Sequence, residues 1–336
     1  MDPTRPESFN HRFEKLSTGR TYHFVDQLPS NHDTNLNQAI VCIHGFPDCW
    51  YGWRYQIGPW VRQGYRVIVP DTLGYGDTDK PSSAEEYSMK SLCADIAALL
   101  DKAGLEKAII VGHDWGSHMV GRFALYYPNR VLALAMLSVP YIPPSPVYLP
   151  LEEVARKSPN LGYQLFFGSQ QSTKIIEANL RGFMDVIFQQ TDSKGVAADF
   201  TRKGAMDALL NNSHVRSSGS VLDPREFEYY HQVLSKGMNG PLNYYRTSKF
   251  RHDEEKADGL PSNLRADLPV LFLWGTKDRT ATPALIRKSS KFITRLQDIA
   301  IENKGHWIMA EAKDEVTAHI AEWLKGLGYP NIRGKL

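Results

Sequence analysis

The sequence predicts an α/β fold with a mostly parallel central sheet, flanked by helices and carrying an inserted helical cap. Three observations point to it. Short apolar runs closed by turn residues alternate with helical stretches along the first 140 residues, the rhythm of successive βαβ units. From Tyr141 to about Leu264 that rhythm stops and helical spacing dominates. It resumes at Pro269-Val-Leu-Phe-Leu-Trp-Gly275, a run apolar enough for a strand buried on both faces. The expected organisation is a core in two parts, 1–140 and 265–336, with a cap over 141–264 folded across the strand ends.

Taken in order, Tyr22-His-Phe-Val25 reads as an edge strand and Ala39-Ile-Val-Cys-Ile43 as a buried one. A helix from Trp53 to Gln63 leads to the strand Tyr65–Pro70 and the glycine-punctuated loop Asp71–Gly76. Apolar residues at Leu92, Ile96, Leu99 and Leu100 predict a helix over Ser88–Ala103. Next come the strand Ala108–Val111, a helix over Ser117–Tyr127 ending before Pro128, and the strand Val131–Val139. The cap should contain helices over Ser172–Phe188, Val196–Leu210 and Pro224–Ser235. A helix at Pro283–Phe292, a strand at Leu296–Ile301 and a helix at Asp314–Leu327 complete the core.

Composition removes several functional classes. With 42% hydrophobic and 23% charged residues in 336, the chain has material for one sizeable core. A formal net charge of +2 with scattered basic residues gives no footprint for nucleic acid or an anionic membrane surface. No apolar run approaches the ~20 residues of a membrane span, and the polar opening Met1-Asp-Pro-Thr-Arg-Pro6 does not read as a signal peptide. Cys42, Cys49 and Cys93 have no metal-ligand spacing and read as buried free thiols of a reducing compartment. A cytoplasmic protein, monomer or homodimer, is expected. The ending Gly334-Lys-Leu336 is reminiscent of a peroxisomal signal, but glycine is a poor first residue for it. No dinucleotide fingerprint, phosphate-binding loop or metal cluster is present, so no cofactor is implied.

The chemistry centres on Gly112-His-Asp-Trp-Gly116, between the strand at Ala108 and its following helix. Two glycines around one residue at a strand-to-helix turn form the nucleophile elbow of α/β-hydrolases, which lifts the central side chain above the sheet. Here that side chain is Asp114. In this fold the nucleophile, the acid and the histidine follow in that order; Asp114, Asp278 and His306 do so, each after an expected strand. Ligands of open α/β sheets bind at these strand ends. A carboxylate attacking an acyl carbon gives only an anhydride, whereas attack on an electrophilic saturated carbon gives an ester that water can cleave. His306 would activate that water and Asp278 would orient His306. The backbone N–H groups of Phe46, presented by His44-Gly45, and of Trp115 would hold the oxyanion. Epoxides and alkyl halides both suit such a nucleophile; an epoxide also needs a proton donor, for which tyrosine is apt. His113 and His118 flank the elbow, yet His306 is better placed as base, and Asp48 and Asp71 read as turn residues.

Several stretches resemble the soluble epoxide hydrolases: His44-Gly-Phe-Pro-Asp-Cys-Trp50, Gly74-Tyr-Gly76, Gly112–Gly116, Gly162-Tyr-Gln-Leu-Phe-Phe167, Gly240-Pro-Leu-Asn-Tyr-Tyr-Arg246 and Gly305-His-Trp307. The likeness runs from about Ile40 to near the C-terminus and favours the stand-alone microbial and plant forms, since the length leaves no room for the extra phosphatase domain of the bifunctional members. It implies a small hydrophobic epoxide and water as substrates, with Tyr163 and Tyr245 protonating the epoxide oxygen. Tyr244 stands where the family usually has tryptophan. Phe46, Trp115, Phe166, Phe167 and Trp307 would be apolar walls. Haloalkane dehalogenases are the alternative, but they usually add an N–H donor at the position of Phe46, and fluoroacetate dehalogenases carry arginine at that of Trp115. A non-catalytic binder of hydrophobic ligands would have no need for the triad and both tyrosines.

Overall fold

The computed structural model describes residues 1–30, 38–190, 199–211 and 219–329. Eight strands form one sheet: β1 (His11–Lys15), β2 (Thr21–Gln27), β3 (Ala39–Ile43), β4 (Arg66–Pro70), β5 (Ala108–His113), β6 (Val131–Leu137), β7 (Pro269–Gly275) and β8 (Arg295–Ile301). Their spatial order is β1-β2-β4-β3-β5-β6-β7-β8; β2 pairs antiparallel with both β1 and β4, and the remaining pairings are parallel. Every residue of β3, β4 and β5 is buried, because helices cover both faces; this is why these strands read as unbroken apolar runs.

The flanking helices are α1 (Arg54–Arg62), α2 (Met89–Lys102) and α3 (Trp115–Tyr126). Between β6 and β7 lie α4 (Leu151–Lys157), α5 (Tyr163–Phe167), α6 (Ser172–Ala178), α7 (Leu180–Ile187), α8 (Ala205–Asn211), α9 (Pro224–Leu234), α10 (Asn239–Arg246) and α11 (Ser248–Ala257). The chain then returns to the core with α12 (Pro283–Ser289), α13 (Ile308–Glu311) and α14 (Lys313–Gly326).

Departures from the sequence reading have local causes. Tyr22–Val25 is not at an edge: it belongs to β2, whose outer side is covered by β1, a strand hidden by its polar sequence His-Arg-Phe-Glu-Lys. The helix expected over Ser172–Phe188 is two, because Asn179 leaves helical geometry (φ −138°, ψ 52°) and its side chain caps the Gly182 N–H of α7. The start of the helix expected over Val196–Leu210 and the terminal Gly334-Lys-Leu336 lie outside the described residues. Helices α4, α10 and α11 were not anticipated; α11 is so rich in charge that its apolar stripe is narrow.

The helical insertion is pinned to the core by buried polar contacts. Arg54, the first residue of α1, reaches Glu226 of α9 with Nε–Oε1 at 2.8 Å and Nη2–Oε1 at 2.7 Å, and both side chains are buried. Glu226 also accepts from the Tyr55 hydroxyl at 2.6 Å and closes the capping box of α9 through the Asp223 N–H at 2.9 Å. The Tyr230 hydroxyl donates to Asp48 at 2.6 Å, and the Trp50 indole donates to the Tyr229 hydroxyl at 2.9 Å. Asp48 is therefore a buried tether rather than a simple turn former. Asp71 is likewise buried, 2.7 Å from His23 and accepting the Trp50 N–H at 3.0 Å. Removing one member of a buried pair leaves the other charged and unpaired, at a cost of about 3–5 kcal/mol. Glu226→Ala is accordingly expected to lower stability by ~3 kcal/mol in chemical denaturation; a loss below ~1 kcal/mol would contradict this coupling.

Candidate active site

Strand β5 passes into α3 through Asp114, whose backbone (φ 53°, ψ −119°) is strained for a residue with a side chain. The turn is tight enough that a Cβ on Gly116 would lie 2.1 Å from the Ile43 carbonyl oxygen, so only glycine fits. Asp114 Oδ1 accepts a hydrogen bond from the Phe46 N–H at 2.8 Å. Gly45 permits that approach, since a Cβ there would sit 2.5 Å from the same oxygen. The loop is held by His44: its Nε2 accepts from the Thr72 N–H at 2.9 Å, which leaves Nδ1–H to donate to the Gly45 carbonyl at 2.9 Å. Trp115 contributes the first N–H of α3, which has no partner within its own helix.

Asp278 follows β7 and His306 follows β8, so strand order alone brings both to the end of β5. His306 Nδ1 lies 2.8 Å from Asp278 Oδ2, and its Nε2 lies 3.5 Å from Asp114 Oδ2. The second separation is that of an ion pair with room to lengthen. Asp278 Oδ1 accepts from both the N–H and the hydroxyl of Thr280 at 2.7 Å. The peptide around His306 is clamped by Glu311, whose oxygens accept from the Gly305 N–H at 2.9 Å and the Trp307 N–H at 3.0 Å. The His306 carbonyl accepts from Ser138 at 2.8 Å and from His113 Nε2–H at 2.9 Å. The sequence does not single out these supporting residues, apart from His113, which flanks the elbow. The only local signal was Thr280, two positions after Asp278 in an Asx-turn pattern.

The electrostatics separate the two histidines. Burial and the neighbouring His306 push His113 down to about 4, so it is a neutral donor at physiological pH. For His306 burial works the same way, but the Asp278 and Asp114 carboxylates outweigh it and hold the imidazole well above its usual range. Burial alone would raise Asp114; the adjacent His306, with His113 and the Phe46 N–H, holds it below the ordinary carboxylate value. The resting pair is thus a carboxylate beside an imidazolium.

Over this pair stand Tyr163 of α5 and Tyr245 of α10, their ring centroids 6.3 Å apart and inclined by 76°. Burial, reinforced by the Asp114 charge, raises both phenols above their ordinary value, for Tyr245 with a further contribution from Tyr163, so both keep their protons. Tyr245 meets Phe46 edge-on at 5.0 Å and Trp115 at 5.1 Å. Tyr244, in the place of the family's tryptophan, turns away and donates its hydroxyl to the Leu73 carbonyl at 3.0 Å. A cavity of about 80 Å³ reaches Asp114, Asp278, His306 and both tyrosines, with Phe46, Phe167 and Trp307 in its wall. Trp307 is fixed there by its indole N–H, which donates to the Ile187 carbonyl at 2.8 Å. Trp115 faces the opposite side of Asp114, in the wall of a second chamber. Phe166 lines neither cavity: Tyr163 and Phe167 are four residues apart and share the inward face of α5, leaving Phe166 to pack beside Phe167. Among the described residues no His, Cys, Asp or Glu group is arranged to hold a metal ion, and no helix is long and apolar enough to cross a membrane.

Known proteins resemble this chain in sequence and fold. A family model described as alpha/beta hydrolase fold matches residues 38–313. The chain is 33% identical to the bifunctional epoxide hydrolase 2 of Mus musculus over 99% of its own length, and spans 59% of that relative. It is 30% identical to epoxide hydrolase srdG of Neurospora crassa, covering 97% of this chain and 98% of the relative. The crystal structure of epoxide hydrolase A from Mycobacterium thermoresistibile superposes with a TM-score of 0.81 at 28% identity, covering 95% of this chain and 98% of that one. With most of its length matched by the family and the Neurospora relative paired almost end to end, the chain belongs to the α/β-hydrolase fold family and, within it, to the epoxide hydrolases.

Proposed function

We propose that the protein hydrolyses small hydrophobic epoxides to vicinal diols through a covalent ester on Asp114. The observation that carries this reading is an ionised aspartate, rather than a hydroxyl or thiol, on the elbow beside the His306–Asp278 pair. Asp114 Oδ2 attacks an oxirane carbon; the C–O bond breaks, and the oxygen takes a proton from Tyr163 or Tyr245. Both phenols are held protonated by burial beside a negative charge. A neutral donor of this kind suits a strongly basic leaving alkoxide.

Ester formation changes the site's charge. It removes the Asp114 carboxylate that helps hold His306 protonated, so His306 becomes more acidic and gives up its proton, which restores the tyrosine through solvent. The neutral His306, oriented by Asp278, then takes a proton from water as the oxygen attacks Asp114 Cγ. The Phe46 N–H, already 2.8 Å from Oδ1, and the Trp115 N–H stabilise the oxyanion. Collapse breaks the Cγ–O bond, and His306 returns its proton to the departing diol. Alkyl-halide displacement would begin with the same attack, but the wall offers a phenylalanine at position 46 where a halide needs a second N–H donor.

Incubation with styrene oxide, a trans-disubstituted epoxide and a short bromoalkane tests the reading. Wild type should form diol, Asp114→Ala none, and the Tyr163→Phe/Tyr245→Phe double variant at least about a hundredfold less, the scale of lost general-acid catalysis. Bromide release without diol, surviving loss of both tyrosines, would instead identify a dehalogenase. Decay of the trapped ester should accelerate as pH rises through the His306 pKa of the esterified form, because only neutral His306 is a base. By NMR titration, His306 in Asp114→Asn should lose its proton at lower pH than in wild type; an unchanged or higher value would refute the coupling.

A further inference from the structure

The helix that carries Tyr245 meets the core through bare backbone. A Cβ on Gly240, in the first turn of α10, would lie 2.7 Å from the Gly74 Cα and 2.9 Å from the Gly74 carbonyl oxygen. Those are backbone atoms, which cannot swing aside as the end of a side chain can. Gly74 has a separate reason to be glycine, since its φ is 92°. Gly240 has no positive φ, and the other restraint on it is Pro241, whose ring disfavours helical geometry in a preceding residue that has a Cβ.

The Gly74 side of the contact is held firmly. The Gly74 N–H donates to the Asp79 carbonyl at 2.9 Å and the Tyr75 N–H to the Thr72 carbonyl at 3.0 Å. Thr72 gives its own N–H to His44 Nε2, and His44 holds the Gly45 carbonyl next to the Phe46 amide. The loop that stops α10 is thus tied to the loop that binds Asp114. One turn beyond Gly240, the Tyr244 hydroxyl donates to the carbonyl of Leu73, the residue before Gly74. Tyr245 comes next, its ring 5.0 Å from that of Phe46 and 5.1 Å from that of Trp115. Tyr163 is seated otherwise. Its N–H donates to the Thr201 carbonyl at 2.9 Å, and a Cβ on Gly162 would lie 2.2 Å from the Lys203 nitrogen, so the start of α5 abuts the insertion itself.

We propose that Gly240 is a positioning residue: its backbone contact with Gly74 sets the height of Tyr245 over Asp114, and with it the rate of epoxide opening. This deepens the epoxide hydrolase reading, on which it rests, by giving the two phenols different anchors. Tyr245 is registered to the core, and Tyr163 to the insertion. A methyl group at position 240 would push α10 off the loop and carry the Tyr245 hydroxyl with it, while His306, Asp278 and the Phe46 N–H stay where they are.

The test measures ester formation and ester decay separately, by rapid quenching with enzyme in excess over styrene oxide. Pro241→Ala removes the proline restraint and is the reference. Adding Gly240→Ala to it should slow ester formation about tenfold or more, the scale of a misplacement below an ångström, and leave decay within about twofold. In a Tyr245→Phe background the same addition should cost formation less than about twofold, since the displaced ring no longer donates. In 3-fluorotyrosine protein, with the Tyr245 signal assigned through Tyr245→Phe, Gly240→Ala should shift that signal. Tyr244→Phe, which loosens the seat without crowding it, should slow formation and spare decay. Formation unchanged by Gly240→Ala in the Pro241→Ala protein, formation and decay slowed alike, or equal losses with and without the Tyr245 hydroxyl would each overturn the positioning role. A shifted Tyr245 signal in a protein that forms no ester with any epoxide would keep the Gly240 seat and reject the hydrolase reading.

Discussion

An ionised carboxylate buried beneath an aromatic roof is unstable unless something compensates it, and in the proposed reaction the compensation is also the chemistry. Asp114 is held charged by His306 at 3.5 Å and by the Phe46 N–H at 2.8 Å. In the proposed reaction each contact has a second use: the histidine is the base for the later step, and the amide lies where the oxyanion would form. The pair stays poised because the fold holds both contacts in place in advance. Asp278, Thr280 and Glu311 matter because they fix the imidazole on one side, leaving the Asp114 side as the one that can change.

The helical insertion completes what the sheet begins. Strand ends present Asp114, Asp278 and His306, but the proposed proton donors come from α5 and α10, and the insertion adds Phe167, Ile187 and Phe200 to the wall. Their placement depends on contacts that cross between the two parts, such as Arg54 with Glu226, Tyr230 with Asp48, Tyr244 with the Leu73 carbonyl and Trp307 with the Ile187 carbonyl. Each buries polar groups that are satisfied only when the insertion is seated, so its position relative to the elbow is specified as well as stabilised.

Much of this could be read in advance, for physical reasons. Buried parallel strands leave long apolar runs, and an elbow leaves two glycines around one residue, so the core and Asp114 stand out in the chain. Asp278 and His306 follow because the order of strands carries them to the same edge. The phenols were different: sixteen tyrosines offered no local signal, and only the family likeness selected Tyr163 and Tyr245. Ser138 and Glu311 are not legible in the sequence because their significance lies in contacts that form only in the folded chain. Phe166 was misassigned to the wall because a wall residue depends on which way one turn of helix is rotated.

The claim at the centre is that Asp114 becomes covalently bound to substrate and that water then attacks its own carboxyl carbon. A single turnover in isotopically labelled water, with enzyme in excess over styrene oxide and mass spectrometry of both the diol and the Asp114 peptide, tests it directly. The diol should leave with unlabelled oxygen drawn from Asp114, and the label should appear in the Asp114 carboxylate. Label in the diol during that first turnover, with none in the peptide, would mean that water attacks the epoxide directly and would contradict it.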